Sequence, residues 1–142
     1  MKTEQISPPV AARIYGIAAV TLYEAIVPGS RAHRSLAGQL NALAFVPQPD
    51  PHKPYHWPTA ANAALVHVSR GLFPNASSAS LDAIDALEEA LTTPFQTSVA
   101  PLVYVRSVTQ DQAVADAVLA WASSDGFTIL SWQRLSCREC YQ

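Results

Sequence analysis

Five prolines stand within residues 47–58, near the middle of the chain, and they limit what this segment can form. They are Pro47, Pro49, Pro51, Pro54 and Pro58. Each proline fixes the φ angle at roughly −65° and lacks the amide hydrogen that helices and sheet ladders use. The segment is therefore predicted to be a stiff, extended loop that separates the helices before it from those after it.

A helix with clear signals at both ends precedes this loop. Ser7 can cap it, Pro8 suits its first position, and Pro28-Gly29 follows its end. One apolar stripe along it contains Ala11, Tyr15, Ala18, Leu22 and Ile26, and a second contains Val10, Ile14, Ile17 and Ala25. A helix that is apolar nearly all round is predicted to lie in a core.

Apolar spacing predicts one helix before the loop, one directly after it and a third further along the chain. A short one covers residues 35–43, and a longer one opens at Pro58 and closes near Gly71 and Pro74. The third is capped by Ser80 and ends before Thr93-Pro94. Its residues predicted to face the core are Leu81, Ile84, Leu87 and Leu91. Its residues predicted to face water are Asp82, Asp85, Glu88 and Glu89.

The last third of the chain is compatible with two structures. Val103-Tyr104-Val105 resembles a short strand, whereas Pro101 is suited to start a long helix, and we favour the helix. Residues 109–112 resemble a capping box, and helical spacing follows as far as Asp125-Gly126. The chain is thus predicted to be all-α, a helical bundle of about five helices, with a helical domain at 1–130 and a divergent tail at 131–142.

Charge and targeting signals exclude several classes of function. The net charge of −2 gives no basic field for nucleic acid. The amino terminus lacks the apolar region of a secretory signal, and no location is predicted. Residues 10–27 are mostly apolar, but Arg13 and Glu24 interrupt them, so a buried helix is favoured over a membrane span. Exposed apolar helix faces make a homo-oligomer a possible arrangement.

Histidines and cysteines are the first candidates for chemistry. His52 and His56 have the spacing of two metal ligands on a helix, but Pro54 lies between them, so a surface or structural role is favoured. His67 lies among small residues and is predicted to be a hydrogen-bonded packing residue. Cys137 and Cys140 form a single C-x-x-C motif. A small metal protein that uses these cysteines and the loop histidines is the weakest hypothesis, because further ligands are not evident.

The remaining candidates have structural explanations. Arg13 and Glu24 share a face of the first helix, where a contact with solvent or a neighbouring helix is favoured over a buried ion pair. Trp57 and Trp121 are predicted to be core or interface anchors. Neither a G-x-S-x-G elbow nor a glycine-rich phosphate loop is present. No catalytic, cofactor-binding or metal-binding residue is therefore predicted.

Six segments of the chain carry a family resemblance. They are residues 7–15 (SPPVAARIY), 22–29 (LYEAIVPG), 35–41 (SLAGQLN), 55–58 (YHWP), 61–64 (ANAA) and 113–117 (AVADA), the last leading to Trp121 and Asp125-Gly126. In order and spacing they resemble the amino-terminal half of bacterial proteins related to vanadium-dependent haloperoxidases, in the type 2 phosphatidic acid phosphatase superfamily. The resemblance runs from about Ser7 to Leu130.

This resemblance implies a helical bundle and a particular chemistry. Members hold phosphate or vanadate with a lysine, two arginines, a Ser-Gly-His stretch and a further histidine. With vanadate they act as oxidoreductases on halide and peroxide, and without it relatives act as hydrolases on phosphate esters. This chain contains no Ser-Gly-His, and neither Lys2 nor Lys53 matches the family's anion site. No cofactor is therefore expected in this chain, and vanadate is implied only for the full-length family.

Two hypotheses follow from these observations. The first is that the chain is the amino-terminal helical scaffold of a haloperoxidase-like or acid phosphatase-like protein, is truncated near Leu130, lacks the anion site and is inactive alone. The second is a free-standing helical interaction module that self-associates or binds a partner.

Overall fold

The computed structural model describes residues 6–124 and residue 126, and this part of the chain is all-helical. Helix α1 spans Pro8–Ile26 and runs into a single 3₁₀ turn, Val27–Gly29. After a long loop come α2, Trp57–Leu72, α3, Ser78–Ser98, and α4, Pro101–Ser123. The all-α class is confirmed. The predicted number of about five helices is slightly too high, since the described residues form four.

The predicted helix over residues 35–43 is wrong, because this segment forms consecutive turns. Gly38 and Ala42 both have positive φ angles, 75° and 63°, which a right-handed helix does not tolerate. The Gly38 amide donates instead to the Leu43 carbonyl at 2.7 Å, which folds the segment back on itself. Residues 47–56 are non-helical, as the prolines predicted.

The start of α3 differs from the prediction, whereas α4 starts at the favoured Pro101. Helix α3 is capped by Ser77, whose side chain accepts from the Ser80 amide, and it continues through Pro94 to Ser98. Helix α4 begins at Pro101, so the strand alternative is excluded and Thr109 lies inside the helix instead of capping it. Pro101 is already a favourable first residue, and the later capping box is therefore not used.

The main apolar core lies between α1, α2 and α4. Its buried residues are Val10, Ile14, Ile17, Val68, Leu72, Ala115, Val118 and Ala122. Small residues bring α2 and α4 close together: Ala64 and Ala115 are fully buried, and a Cβ atom at Gly71 would collide with Leu119. Close approach of the backbones gives the high packing density on which core stability depends.

A second, smaller core fastens the long loop to the bundle. Leu43 and Val46 of the loop are buried together with Val114 of α4. Trp121 packs against this cluster, and its indole Nε1 donates to the Asn41 carbonyl at 2.9 Å. Trp121 is therefore a packing anchor with a satisfied polar group, as predicted.

Two predicted burial patterns are only partly correct. In α1, the stripe with Val10, Ile14 and Ile17 is buried, but Tyr15 of the other stripe is 63% exposed. In α3 none of the residues is buried, so the predicted core face with Leu87 and Leu91 is wrong. Amphipathic spacing identifies an apolar face, but it does not determine whether another element covers that face.

Among the described residues, one segment, Pro8–Gly29, is long and apolar enough to cross a membrane, and an 18-residue window within it has a mean hydropathy of 1.5. This is weak evidence, because core helices of soluble proteins meet the same criteria. Here α1 packs against both α2 and α4, and it buries Thr21 and Glu24 along with apolar residues. The absence of a span stays a prediction.

Gly29 provides the first test of the packing. A Cβ atom at this position would lie 2.5 Å from Nε1 of Trp57, whose ring also stacks on Tyr55. Gly29→Ala is therefore expected to lower the free energy of unfolding by about 1–3 kcal/mol, measured by urea titration followed by circular dichroism.

The matched control is Gly16→Ala, in the exposed part of α1, where a Cβ atom would meet nothing within 4 Å. This change should raise stability by about 0.5–1 kcal/mol, because alanine favours the helix. Equal effects of the two substitutions would contradict the close contact between Gly29 and Trp57.

Candidate functional site

The buried polar residues of the described chain lie toward one end of the bundle. They are Thr21, Glu24, Thr59, Ser107 and Asp111, each at most 2% exposed. The Arg13 side chain donates to the Ala122 carbonyl, so the start of α1 lies beside the end of α4. His56 contacts Ser107 and His67 contacts Asp116, so α2 and α4 run parallel. The end of α1, the start of α2 and the first half of α4 thus meet in one polar layer.

Glu24 accepts two hydrogen bonds, one at each carboxylate oxygen. Ser35 Oγ donates to its Oε2 at 2.8 Å, and the Leu36 amide donates to its Oε1. Arg13, at the other end of α1, contacts α4 instead. The predicted contact of Arg13 with a neighbouring helix is confirmed. For Glu24 the prediction is wrong, because its carboxylate is buried and both of its oxygens accept from the loop.

His56 caps α2 and connects it to α4. Its Nδ1 atom lies 2.8 Å from Thr59 Oγ1, and its backbone amide donates to Ser107 Oγ at 2.9 Å. Ser107 in turn donates to the Val103 carbonyl one turn earlier in α4. With these bonds, the imidazole and both hydroxyls are engaged in holding helix ends, which is a structural use of polar groups.

Asp111 is the one buried polar side chain of the described residues with an unsatisfied atom. The residue is 1% exposed, and its Oδ2 has no hydrogen-bond partner within the described part. Burial raises the pKa of this carboxyl from 3.8 to about 7. Loss of solvation penalises the charged form, so the neutral acid is stable up to near pH 7.

A cleft on the outside of the bundle is the second place where polar groups converge. It has a volume of about 50 Å³ and lies between α2, α3 and α4. His67 Nε2 lies 2.6 Å from Asp116 Oδ1, and Arg70 pairs with Asp85 and Glu88. Sites for small metabolites usually measure about 300–1,000 Å³. As it stands, this cleft is too small for such a ligand.

The polar layer and the cleft do not combine into one active site. Asp111, the group with the most perturbed pKa, does not line the cleft, and the cleft histidine already binds Asp116. A general acid must reach its substrate through a hydrogen bond or one water. Since Asp111 has no such access, we assign the layer a structural role.

The structure also locates the other residues that the sequence singled out. His52 is exposed in a turn where its amide donates to Asp50, whereas the His56 ring contacts Thr59 and Phe95. His67 is hydrogen-bonded, as predicted. Among the described residues no group of three or more histidine, cysteine or acidic side chains could hold a metal ion. Cys137 and Cys140 lie outside the described residues.

Sequence reasoning missed the burial of Asp111, which it took for part of a capping box. A signal was available: Ser107, Asp111, Val114 and Val118 recur at helical spacing, and all four are buried. This spacing puts Asp111 on the apolar face of α4, and that position alone would have predicted that its carboxylate is buried.

No family model, curated protein or solved structure matches the chain. The function must therefore be inferred from the residues and their geometry.

Asp111 makes stability depend on pH in a direction opposite to that of an ordinary surface carboxylate. The unfolded chain binds fewer protons here than the fold does between pH 3.8 and about 7, so stability falls as pH rises through this range. Asp111→Asn removes the titration. Between pH 4 and pH 7 the free energy of unfolding of the variant, relative to that of the wild type, should rise by as much as about 4 kcal/mol.

Urea titrations at several pH values measure this difference. Asp82→Asn, which changes an exposed carboxylate on α3, is the control and should leave the pH profile unchanged. If the free energies of unfolding of Asp111→Asn and the wild type differ by the same amount at every pH in this range, the raised pKa of Asp111 is ruled out.

Proposed function

We propose that this chain is the amino-terminal helical scaffold of a haloperoxidase-like or acid phosphatase-like protein, and that residues outside it supply the vanadate or phosphate site. The observation that carries the proposal is that segments bearing the family resemblance contact one another across the fold. The resembling segments share their order and spacing with the family, and contacts between these segments in the fold would explain why they occur together.

Three contacts join these segments. Glu24 of segment 22–29 accepts from Ser35 of segment 35–41. Gly29, also of segment 22–29, lies against Trp57 of segment 55–58. Asn41 of segment 35–41 accepts from the Trp121 indole in α4. Each contact fixes a loop to a helix, so the resembling residues support a scaffold role.

Three cationic residues of the described part, Lys53, Arg70 and Arg106, do not converge on an anion site. A bound oxyanion needs several positive donors that converge on one point. Arg70 is paired with Asp85 and Glu88, and Lys53 is paired with Asp50 at 2.9 Å. Arg106 donates to the Pro54 carbonyl. These groups are engaged separately, and we therefore assign no reaction step to this chain.

A second candidate, a helical interaction module, is favoured by a different observation. Large apolar side chains stand in solvent on α3 and the start of α4, namely Leu87, Leu91, Leu102 and Val105, of which Leu102 is 77% exposed. Exposed apolar groups of this kind mark interaction surfaces when they are contiguous. Sedimentation that shows a dimer would favour this candidate, and a clean monomer with a sharp thermal transition would count against it.

The scaffold proposal predicts that the purified chain is inactive. With vanadate, bromide and hydrogen peroxide it should brominate an indicator dye no faster than buffer does. With p-nitrophenyl phosphate it should release no nitrophenol. Bromination or nitrophenol release above the buffer control would place an active site within this chain and contradict the proposal.

The gene offers a second and positive test. The DNA downstream of the Leu130 codon should encode, in one of its three frames, a segment with lysine or arginine and Ser-Gly-His. Absence of such a segment from all three frames would count against the scaffold proposal and leave the interaction module as the better candidate.

A further inference from the structure

Helix α3 receives less support from the fold than any other helix of the described part. The helices α1, α2 and α4 bury six residues each, whereas α3 buries none of its 21. Helices in proteins owe most of their stability to the packing of an apolar face. Two of the α3 leucines, Leu87 and Leu91, are 61% and 41% exposed instead.

Two ion pairs hold the first half of α3 against α2. They join Arg70 of α2 to Asp85 and Glu88 of α3, and we call them the Arg70 latch. Arg70 Nη2 donates to Asp85 Oδ1 at 2.7 Å and to Glu88 Oε2 at 2.6 Å. Asp85 and Glu88 are three residues apart, so one guanidinium bridges a single face of α3. All three side chains are at least 36% exposed, and solvent and salt therefore weaken both pairs.

The second half of α3 is held by two further contacts with α2 and its cap. Asn62 donates to Thr92 Oγ1 at 3.4 Å, near the upper limit for a hydrogen bond. The Phe95 ring meets the His56 ring edge to face, with centroids 5.3 Å apart. These contacts orient the helix but bury little apolar surface.

Pro94 weakens α3 from within. It lies inside the helix, where a proline removes one backbone hydrogen bond and disfavours the helical form of the residue before it. Isolated helices of about 20 residues are marginal in water even without such a defect. Once it loses contact with α2, α3 is therefore not expected to stay helical.

The connections at its two ends prevent α3 from swinging away as a rigid body. Because α2 and α4 are parallel, α3 must run back along the bundle from the end of α2 to the start of α4. Only residues 73–77 and 99–100 connect it to these helices. The 21 residues of α3, once unfolded, reach roughly 70 Å, which exceeds the distance between the end of α2 and the start of α4. Local melting is thus the available way for α3 to leave its place.

We propose that α3 is a cover that opens by local melting, held closed over the cleft between α2 and α4 by the Arg70 latch. In the closed form Glu88, Thr92 and Phe95 form one wall of the cleft. Melting of α3 removes that wall and exposes the side of α2 with Ala63 and Val66, while the core between α1, α2 and α4 is retained. Access to the cleft is therefore controlled by ionic strength and by any group that competes for Arg70.

Hydrogen–deuterium exchange read by mass spectrometry on the full chain tests this proposal. Amides of α3 should exchange faster than those of α1, α2 and α4, and faster still when salt rises from about 0.05 M to 0.5 M. In Arg70→Gln both ion pairs are lost. Exchange in α3 should then rise by about 2- to 30-fold, and exchange in α4 should stay unchanged.

Arg31→Gln is the matched control, since it removes the same charge from an exposed position in the loop after α1. It should leave α3 exchange at the wild-type rate. Pro94→Ala works in the opposite direction and should slow α3 exchange at least about tenfold, because alanine restores a helical residue. Exchange of α3 as slow as that of α4, or equal acceleration of all helices in Arg70→Gln, overturns the proposal.

Discussion

A buried carboxylate at the end of the first helix is the interaction on which the rest of the fold depends. Glu24 is 1% exposed, and removing a carboxylate from water is costly unless donors replace the water. Ser35 and the Leu36 amide are those donors. They draw the loop back across the bundle, which brings Leu43 and Val46 into the second core. Further along, the Trp121 indole and the Arg106 side chain donate to the Asn41 and Pro54 carbonyls and hold the rest of the loop on its way to α2.

The described chain has two parts that differ in how they are stabilised. Helices α1, α2 and α4 share a continuous apolar core and a layer of buried polar side chains. Helix α3 lies outside this unit and is held mainly by Arg70.

Helix signals in the sequence were informative wherever local chemistry decides the structure. Ser7-Pro8 and Pro28-Gly29 identified the limits of α1, and the proline-rich loop was placed correctly. Failures arose where tertiary contacts decide. Gly38 and Ala42 have positive φ angles in a turn that the Gly38 amide closes on the Leu43 carbonyl, and apolar spacing does not reveal such a turn. Exposure of Leu87 depends on what lies beside α3, which local periodicity does not encode.

The polar layer was harder to predict than the helices. By spacing, Glu24 was considered with Arg13 and His56 with His52, but the partners of Glu24 and His56 in the fold, Ser35 and Ser107, are eleven and 51 positions away. Only the folded chain brings such pairs together. Asp111 was missed because its burial depends on the register of α4, which the misplaced capping box obscured.

The central claim is that residues bearing the family resemblance hold the fold together, and a double-mutant cycle between Glu24 and Ser35 tests it most directly. The free energy of unfolding would be measured for the wild type, Glu24→Gln, Ser35→Ala and the double variant. We expect a coupling energy of about 1–3 kcal/mol, since the bond is part-buried and its acceptor, Glu24, is 1% exposed. Additivity of the two substitutions within about 0.5 kcal/mol would contradict the claim.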